Sequence, residues 1–347
     1  MKRIVFVLLT LIITIPAFSQ SSALQTAATV NLIKTEAITV GQLRADVERL
    51  EKASGKTLTK AERLQVLDII INERLVLQAA ERDRIVVTEN EINQQIQQLR
   101  NALAQQIGRQ PTDAEFAQAV KNESGLDLQA FKEQLRKQFI IQKYLMAKKG
   151  DLINSVKMPT DEEILSEYII RKSELVRPET IRCSMIQISY GADAAARAKA
   201  KALADSLIRE INNDPSKFDE VAQRSVTPNS GYQAGDAGYL PRNNEYRNLL
   251  GQAFMDIAFS LKQGQVSRLI EGKDGYQIIK VTENYAGKQL ELTDILQFGT
   301  RITVRDYIGQ GLLSQRQQAA LKQASEEIIK ELRTGRTFQI FENNINW

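Results

Sequence analysis

The chain of 347 residues contains no histidine, and Cys183 is its one cysteine. The absence of histidine excludes a catalytic site that uses imidazole as acid or base, and together with the single cysteine it excludes the usual zinc ligand sets. One cysteine also excludes an intramolecular disulfide. We therefore expect stability to come from packing, and we expect no metal or other cofactor.

Two further absences exclude classes of ligand. No glycine-rich phosphate loop of the Walker type occurs, so ATP is not an expected ligand. The formal net charge is only +4 and aromatic residues make up 6% of the chain, without a basic stripe that carries interleaved aromatics. Nucleic acid is therefore not an expected partner. With 43% apolar residues, the chain has the composition of a globular protein.

The amino terminus has the pattern of a secretory signal peptide. Lys2 and Arg3 precede an apolar run over residues 4–15, then Pro16, then a small-x-small triplet that ends at Ser19. An uncleaved membrane anchor fits less well, because a spanning helix needs roughly 20 apolar residues. We expect cleavage near Ser19 and export to the periplasm.

Residues 37–175 are predicted to form a series of helices. Five threonines are each followed three residues later by Glu or Gln, which is the pattern of a capping box at a helix start. The five pairs are Thr39 and Gln42, Thr59 and Glu62, Thr88 and Glu91, Thr112 and Glu115, and Thr160 and Glu163.

The pattern changes near Pro178 to a mixture of strands and helices. Ile181, Cys183 and Met185 alternate with polar residues, as in a half-buried strand. The remaining predicted elements are helices over 194–211, 248–261 and 315–333, a glycine-bearing loop over 229–238, strands over 266–270 and 276–281, and a short final strand over 337–341.

Two stretches resemble the parvulin family of prolyl isomerases. Residues 274–281, Asp-Gly-Tyr-Gln-Ile-Ile-Lys-Val, resemble the closing strand of that family, which normally reads Gly-Tyr-His-Ile-Ile-Lys-Val. Residues 224–231, followed by Gly-Asp-Ala-Gly-Tyr at 235–239, resemble its central loop. The resemblance implies one parvulin-like domain with an antiparallel sheet and flanking helices.

The helical part resembles the amino-terminal domain of SurA-like chaperones. The resemblance rests on Asn-Glu-Arg-Leu-Val-Leu-Gln at 72–78 and Ile-Val-Val-Thr-Glu at 85–89. It implies an α+β chain in which a carboxy-terminal helix and short strand return to the helical domain. The predicted layout is a signal peptide at 1–19, a helical domain at 20–177, a parvulin-like domain at 178–285, and the returning segment at 286–347.

The parvulin resemblance fails at the polar positions of the active site. Met185 stands where the family has its first histidine, Gln277 where it has the second, and Thr227 where it has Asp or Cys. A thioether is at best a weak acceptor and cannot replace an imidazole, whereas the amide of Gln277 can both donate and accept. Met185 also fits a plain core position.

The apolar positions of the site are retained better. Leu250, Phe254 and Phe259 fall where the family places its apolar substrate-binding residues. The spacing of Phe254 and Phe259 on one helix face fits core packing equally well.

These observations favour an ATP-independent periplasmic chaperone that binds unfolded or extended polypeptides, including outer-membrane proteins, and that has a degenerate parvulin-like domain. Two alternatives stay open. One is an active prolyl isomerase that uses Gln277 and other unusual residues. The other is a structural protein whose parvulin-like part serves docking or homodimerisation.

Overall fold

The computed structural model describes residues 23–212 and 214–347. The predicted signal peptide, residues 1–19, lies outside these ranges. Within the described part of the chain, no helix combines the length and the apolar character that crossing a bilayer requires. The chain divides into two compact units, which we call the helical unit and the sheet unit.

The helical unit extends to Val156 and also includes Arg316–Trp347. It begins with two antiparallel strands, in which Asn31 is opposite Thr35, and continues with five helices. Its core contains Leu43, Leu67 and Ile71, all fully buried. The elements are β1 (Thr26–Asn31), β2 (Thr35–Thr39), α1 (Val40–Ser54), α2 (Lys60–Arg82), α3 (Glu89–Ile107), α4 (Asp113–Ser124) and α5 (Leu128–Asn154).

All five predicted capping boxes are confirmed. At the first of them, the hydroxyl of Thr39 accepts from the backbone N–H of Gln42 at 3.1 Å, and the Gln42 side chain accepts from the Thr39 N–H at 3.0 Å. Each box satisfies two backbone donors that a helix start would otherwise leave unpaired. Local chemistry therefore fixes where these helices begin.

The end of the chain joins the helical unit. Helix α11 (Val304–Leu332) crosses the boundary between the units, and its part from Arg316 onward belongs to the helical unit. Strand β9 (Phe338–Ile340) pairs antiparallel with β1, so that β1 is the middle strand of a three-stranded sheet. Arg333 holds Asp68 of α2 with two hydrogen bonds of 3.0 and 2.9 Å. A returning helix and strand agree with the sequence prediction.

The sheet unit, Lys157–Gln315, is built on one four-stranded antiparallel sheet. The strand order is β5-β4-β7-β6, with β4 (Thr180–Ser189) and β7 (Gly275–Tyr285) at the centre. The other elements are α6 (Asp161–Arg171), β3 (Val176–Arg177), α7 (Ala194–Ile211), α8 (Pro215–Arg224), β5 (Gln233–Pro241), α9 (Asn244–Leu250), α10 (Gln252–Ser260), β6 (Ile270–Glu271) and β8 (Lys288–Gln289). The α+β class agrees with the prediction.

The two faces of the sheet bury different clusters. Ile186 and Ile278 pack with α7 and with Phe218 of α8 on one face. Ile279 and Val281 pack with α10 on the other. The alternation along β4 and β7 thus separates two small cores, which is the expected behaviour of a sheet with a side-chain period of two.

The compact units differ from the predicted domain bounds. The prediction placed a boundary near Pro178, whereas the units meet after Val156 and again after Gln315. The reason is packing, because Tyr168 of α6 is buried with Leu290 and Val304 in a cluster of the sheet unit. The Tyr168 hydroxyl also donates to the Leu290 carbonyl at 2.9 Å.

Other elements also differ from the sequence prediction. The helix expected over 248–261 is two helices, α9 and α10, separated by Gly251 at φ +91°, where a side chain would be strained. The expected loop over 229–238 ends early, because β5 begins at Gln233. Helix α8 and strands β1 and β2 were not predicted.

Candidate functional site

Met185 and Gln277 lie on neighbouring strands and on the same face of the sheet. In the pairing of β4 with β7, Met185 is opposite Ile279 and Gln187 is opposite Gln277. Opposite residues of an antiparallel pair share a face, and every second residue returns to it. Met185 and Gln277 are therefore diagonal neighbours, a separation of about 7–8 Å that long side chains can bridge.

The three apolar site positions pack beside Met185. Leu250, Phe254 and Phe259 join it in one cluster under α9 and α10. Phe254 is 2% exposed and Phe259 is buried, so both are core side chains. Met185 and Leu250 are half-buried and form the edge of the cluster that reaches solvent. An isomerase or peptide-binding role for these four side chains stays a prediction.

Gln277 is a buried polar side chain with an unsatisfied acceptor. It is 8% exposed, and its Oε1 has no hydrogen-bond partner among the described residues. The side chain lies against Gly272, where an added Cβ would be 3.0 Å from Oε1. Leaving a buried acceptor unpaired costs roughly 1–3 kcal/mol. The amide oxygen of Gln277 is thus a buried acceptor without a hydrogen-bond partner among the described residues.

Thr227 lies apart from this cluster. It follows α8, whose Phe218 and Val221 pack on the opposite face of the sheet from Met185. Its hydroxyl donates to the Arg224 carbonyl, and its side chain is exposed. In the described ranges no hydrogen bond joins Thr227 to Met185 or Gln277, so a shared site for the three aligned positions stays a prediction.

The cysteine beside Met185 is not a nucleophile at neutral pH. Cys183 is fully buried in the same cluster, and this burial raises the pKa of its thiol to about 12. Since the thiolate is the reactive form, the thiol is inert near pH 7. No group of three or more residues suited to binding a metal is found in the part of the chain that the structure describes.

An ionic network next to the site was missed by the sequence analysis. Arg182 of β4 contacts Asp236 of β5 at 2.6 Å and Glu283 of β7 at 3.0 Å. The Arg182 guanidinium and the Gly238 N–H hold the pKa of Asp236 below its usual range. These residues meet only through strand pairing, and nothing in their local sequence signals it. The network ties the three strands together beside the cluster.

The chemical capacity of this face is limited. Rotation about an X–Pro bond crosses a barrier of about 20 kcal/mol, and catalysis requires oriented polar groups that favour the twisted amide. Met185 supplies only a thioether, and the hydroxyl of Thr227 donates to the Arg224 carbonyl. Gln277 is the one polar side chain of the three predicted positions that lies on this face.

Comparisons with known proteins identify both parts of the chain. Residues 1–145 match the SurA-like N-terminal domain, and residues 166–285 match the PPIC-type PPIase domain. The foldase protein PrsA of Clostridium botulinum is 24% identical over 287 residues, which cover 81% of this chain and 75% of PrsA. The chaperone SurA of Pseudoalteromonas translucida is 23% identical over 252 residues, which cover 72% of this chain and 54% of SurA.

Among solved structures, a SurA-like chaperone of Campylobacter jejuni matches with 16% identity and a TM-score of 0.37, covering 91% of this chain and 98% of that one. The two domain matches span most of the sequence and occur in the order that the resemblance predicted. The chain joins a SurA-like N-terminal domain to one parvulin domain of the PPIC type, and it is similar to the SurA chaperones and PrsA foldases.

Proposed function

We propose that this protein is an ATP-independent chaperone that binds unfolded or extended polypeptides, and that its parvulin domain does not catalyse prolyl isomerisation. The observation that carries the proposal is the sheet face on which Met185 and Gln277 are neighbours. It has an apolar side chain, Met185, at the position of the first imidazole and a neutral amide, Gln277, at the position of the second, so it offers no group that titrates near neutral pH. Binding without turnover follows from that chemistry.

The helical unit offers a surface for such binding. Helices α3, α4 and α5 share a small core with five buried residues. Around it lie apolar side chains that are only partly buried, and these include Phe131 and Phe139 of α5. Grooves lined by incompletely buried apolar side chains accept extended or amphipathic segments. We assign the main client contact to this part of the helical unit.

The proposed place of action is the periplasm, and the proposed clients include outer-membrane proteins. Export is supported by the amino-terminal pattern of Lys2, Arg3 and the apolar run over 4–15. ATP independence is supported by the absence of a Walker loop from the sequence.

The test is suppression of aggregation of an unfolded outer-membrane protein diluted from urea. The wild-type protein is expected to suppress light scattering equally with and without ATP. The double variant Phe131→Ser/Phe139→Ser is expected to need about tenfold more protein for the same effect, because each exchange removes apolar contact with the client. Circular dichroism checks that the variant keeps its helices.

The matched control is the double variant Leu50→Ser/Ile69→Ser. It removes two exposed apolar side chains from α1 and α2 of the same unit but outside the α3–α5 cluster. We expect it to act like the wild type. Failure of the wild-type protein to suppress aggregation would refute the proposal, and equal loss in both double variants would refute the assignment to α3–α5.

An active prolyl isomerase is the second candidate. It is favoured by one observation, the buried and unpaired Oε1 of Gln277 beside Met185. An acceptor fixed in a dry site interacts strongly with a donor of the substrate. In that case isomerisation would depend on Gln277 and would be lost in Gln277→Ala.

A further inference from the structure

The sheet unit contains a cavity that lies outside the cluster around Met185. Its volume is about 440 Å³, within the range of roughly 300–1,000 Å³ that is usual for ligand sites. It lies at the end of β5, between that strand and the segment that follows β8. Its lining includes Leu175, Pro178, Tyr239, Pro241, Leu290 and Phe298.

The lining of the cavity mixes apolar and polar side chains. Tyr239 and Phe298 stack with their ring centroids 5.1 Å apart and form one wall. Val176, which also lines the cavity, is 53% exposed. Large apolar side chains that remain this exposed beside a cavity are a feature of binding sites.

One cation that lines this cavity has no hydrogen-bonded carboxylate among the described residues. The guanidinium of Arg177 lies 4.1 Å from the centroid of the Phe298 ring. Its Nε is buried without a hydrogen-bond partner, and Nη1 reaches only the Ile295 carbonyl, at a long 3.5 Å. Across the described ranges, no carboxylate forms an ion pair with Arg177.

The neighbouring carboxylates are engaged with other cations. Asp294 accepts from Lys288 at 2.6 Å, and Glu174 contacts Arg171 at 3.5 Å. A half-buried arginine with an unpaired donor is costly unless an acceptor reaches it. Lys288 and, more weakly, the charge of Arg177 lower the pKa of Asp294, and Glu174 itself lines the cavity. The cavity therefore combines an aromatic wall with a guanidinium that forms no ion pair among the described residues.

We propose that this cavity binds the free carboxy terminus of an extended polypeptide whose last side chain is apolar. The terminal carboxylate accepts hydrogen bonds from Arg177, and the side chain packs against Tyr239 and Phe298. Charge-assisted hydrogen bonds from a guanidinium fork match the geometry of a carboxylate. The inference rests on the proposed function, because it names the part of the client that this second site recognises.

The test uses the full chain and a dye-labelled tetrapeptide that ends in leucine, prepared as the free acid and as the carboxy-terminal amide. Fluorescence anisotropy is expected to show that the acid binds about tenfold more tightly, the effect of one charge-assisted hydrogen bond. Arg177→Gln is expected to remove this preference. Arg247→Gln, which changes an exposed arginine of α9 in the same unit, is expected to keep it.

Equal binding of acid and amide by the wild type, or an unchanged preference in Arg177→Gln, would overturn the proposal. A photo-crosslinking version of the acid peptide maps the site on the wild-type protein and so does not depend on the folding of any variant. Attachment within residues 174–180, 239–243 or 290–298 supports the cavity, and attachment elsewhere overturns it.

The outcome is separable from that of the aggregation assay. A protein that prefers the acid peptide but does not suppress aggregation would retain the site and refute the chaperone proposal. A protein that suppresses aggregation but binds acid and amide equally would support the chaperone proposal and refute the carboxylate site.

Discussion

Replacing Phe254 with alanine is expected to destabilise the sheet unit by about 3–5 kcal/mol, the usual cost of removing a buried phenylalanine. Phe254 belongs to α10, is 2% exposed, and packs in one cluster with Ile279 and Val281 of β7. Loss of the ring leaves a cavity that the central strands cannot fill without moving. A binding role at the surface would predict a much smaller loss of stability.

Hydrogen exchange of the full chain measures this effect, because peptides from β4 and β7 report on the sheet unit alone. The matched control is Leu249→Ala, which changes a neighbouring side chain that is 66% exposed and is expected to cost less than about 0.5 kcal/mol. The single tryptophan, Trp347, lies in the helical unit and should keep its unfolding transition in both variants. A loss below about 1 kcal/mol for Phe254→Ala would show that the ring is not a core element.

Replacing Ile345 with alanine is expected to destabilise the helical unit by about 2–5 kcal/mol. Ile345 is fully buried in the main core of that unit, although it stands only two residues from the end of the sequence. It follows β9, which pairs with β1 and holds the returning segment on the unit. The effect should appear in the helical unit and not in the sheet unit.

Urea unfolding followed by the fluorescence of Trp347 measures this loss. Asn346→Ala is the matched control, because the neighbouring side chain is exposed and bonds only to Lys60 and Asn343. We expect its midpoint to move little. Equal midpoints for Ile345→Ala and the wild type would mean that the returning segment contributes nothing to the core.

The sequence was most informative where structure is decided locally. The five capping boxes need only residues three apart, so each helix start could be predicted from a short window. Strands β1 and β2 were not predicted; they pair with each other as a hairpin, and only β1 also pairs with β9 from the far end of the chain. The division into compact units after Val156 depends on contacts distant in sequence, since α6 packs with Leu290 and Val304.

The candidate site shows the same division. The family resemblance aligned Met185 and Gln277 with the two histidines of the parvulins, and the strand register brings both onto one face of the sheet. The packing of α8, which precedes Thr227, against the opposite face of the sheet could not be predicted, because it depends on contacts with distant residues such as Ile186 and Ile278. The unpaired Nε of Arg177 also has no sequence signal, since any arginine in a sequence looks capable of pairing.

The central claim is that the sheet face with Met185 and Gln277 in place of the two imidazoles does not catalyse rotation about proline bonds. Exchange spectroscopy by NMR on a proline tetrapeptide, with stoichiometric protein at neutral pH, tests it most directly. The claim predicts the same cis–trans exchange rate as for the peptide alone, with an exchange time of tens of seconds or longer. Exchange accelerated well above that rate by the wild-type protein, and abolished in Gln277→Ala, would contradict it.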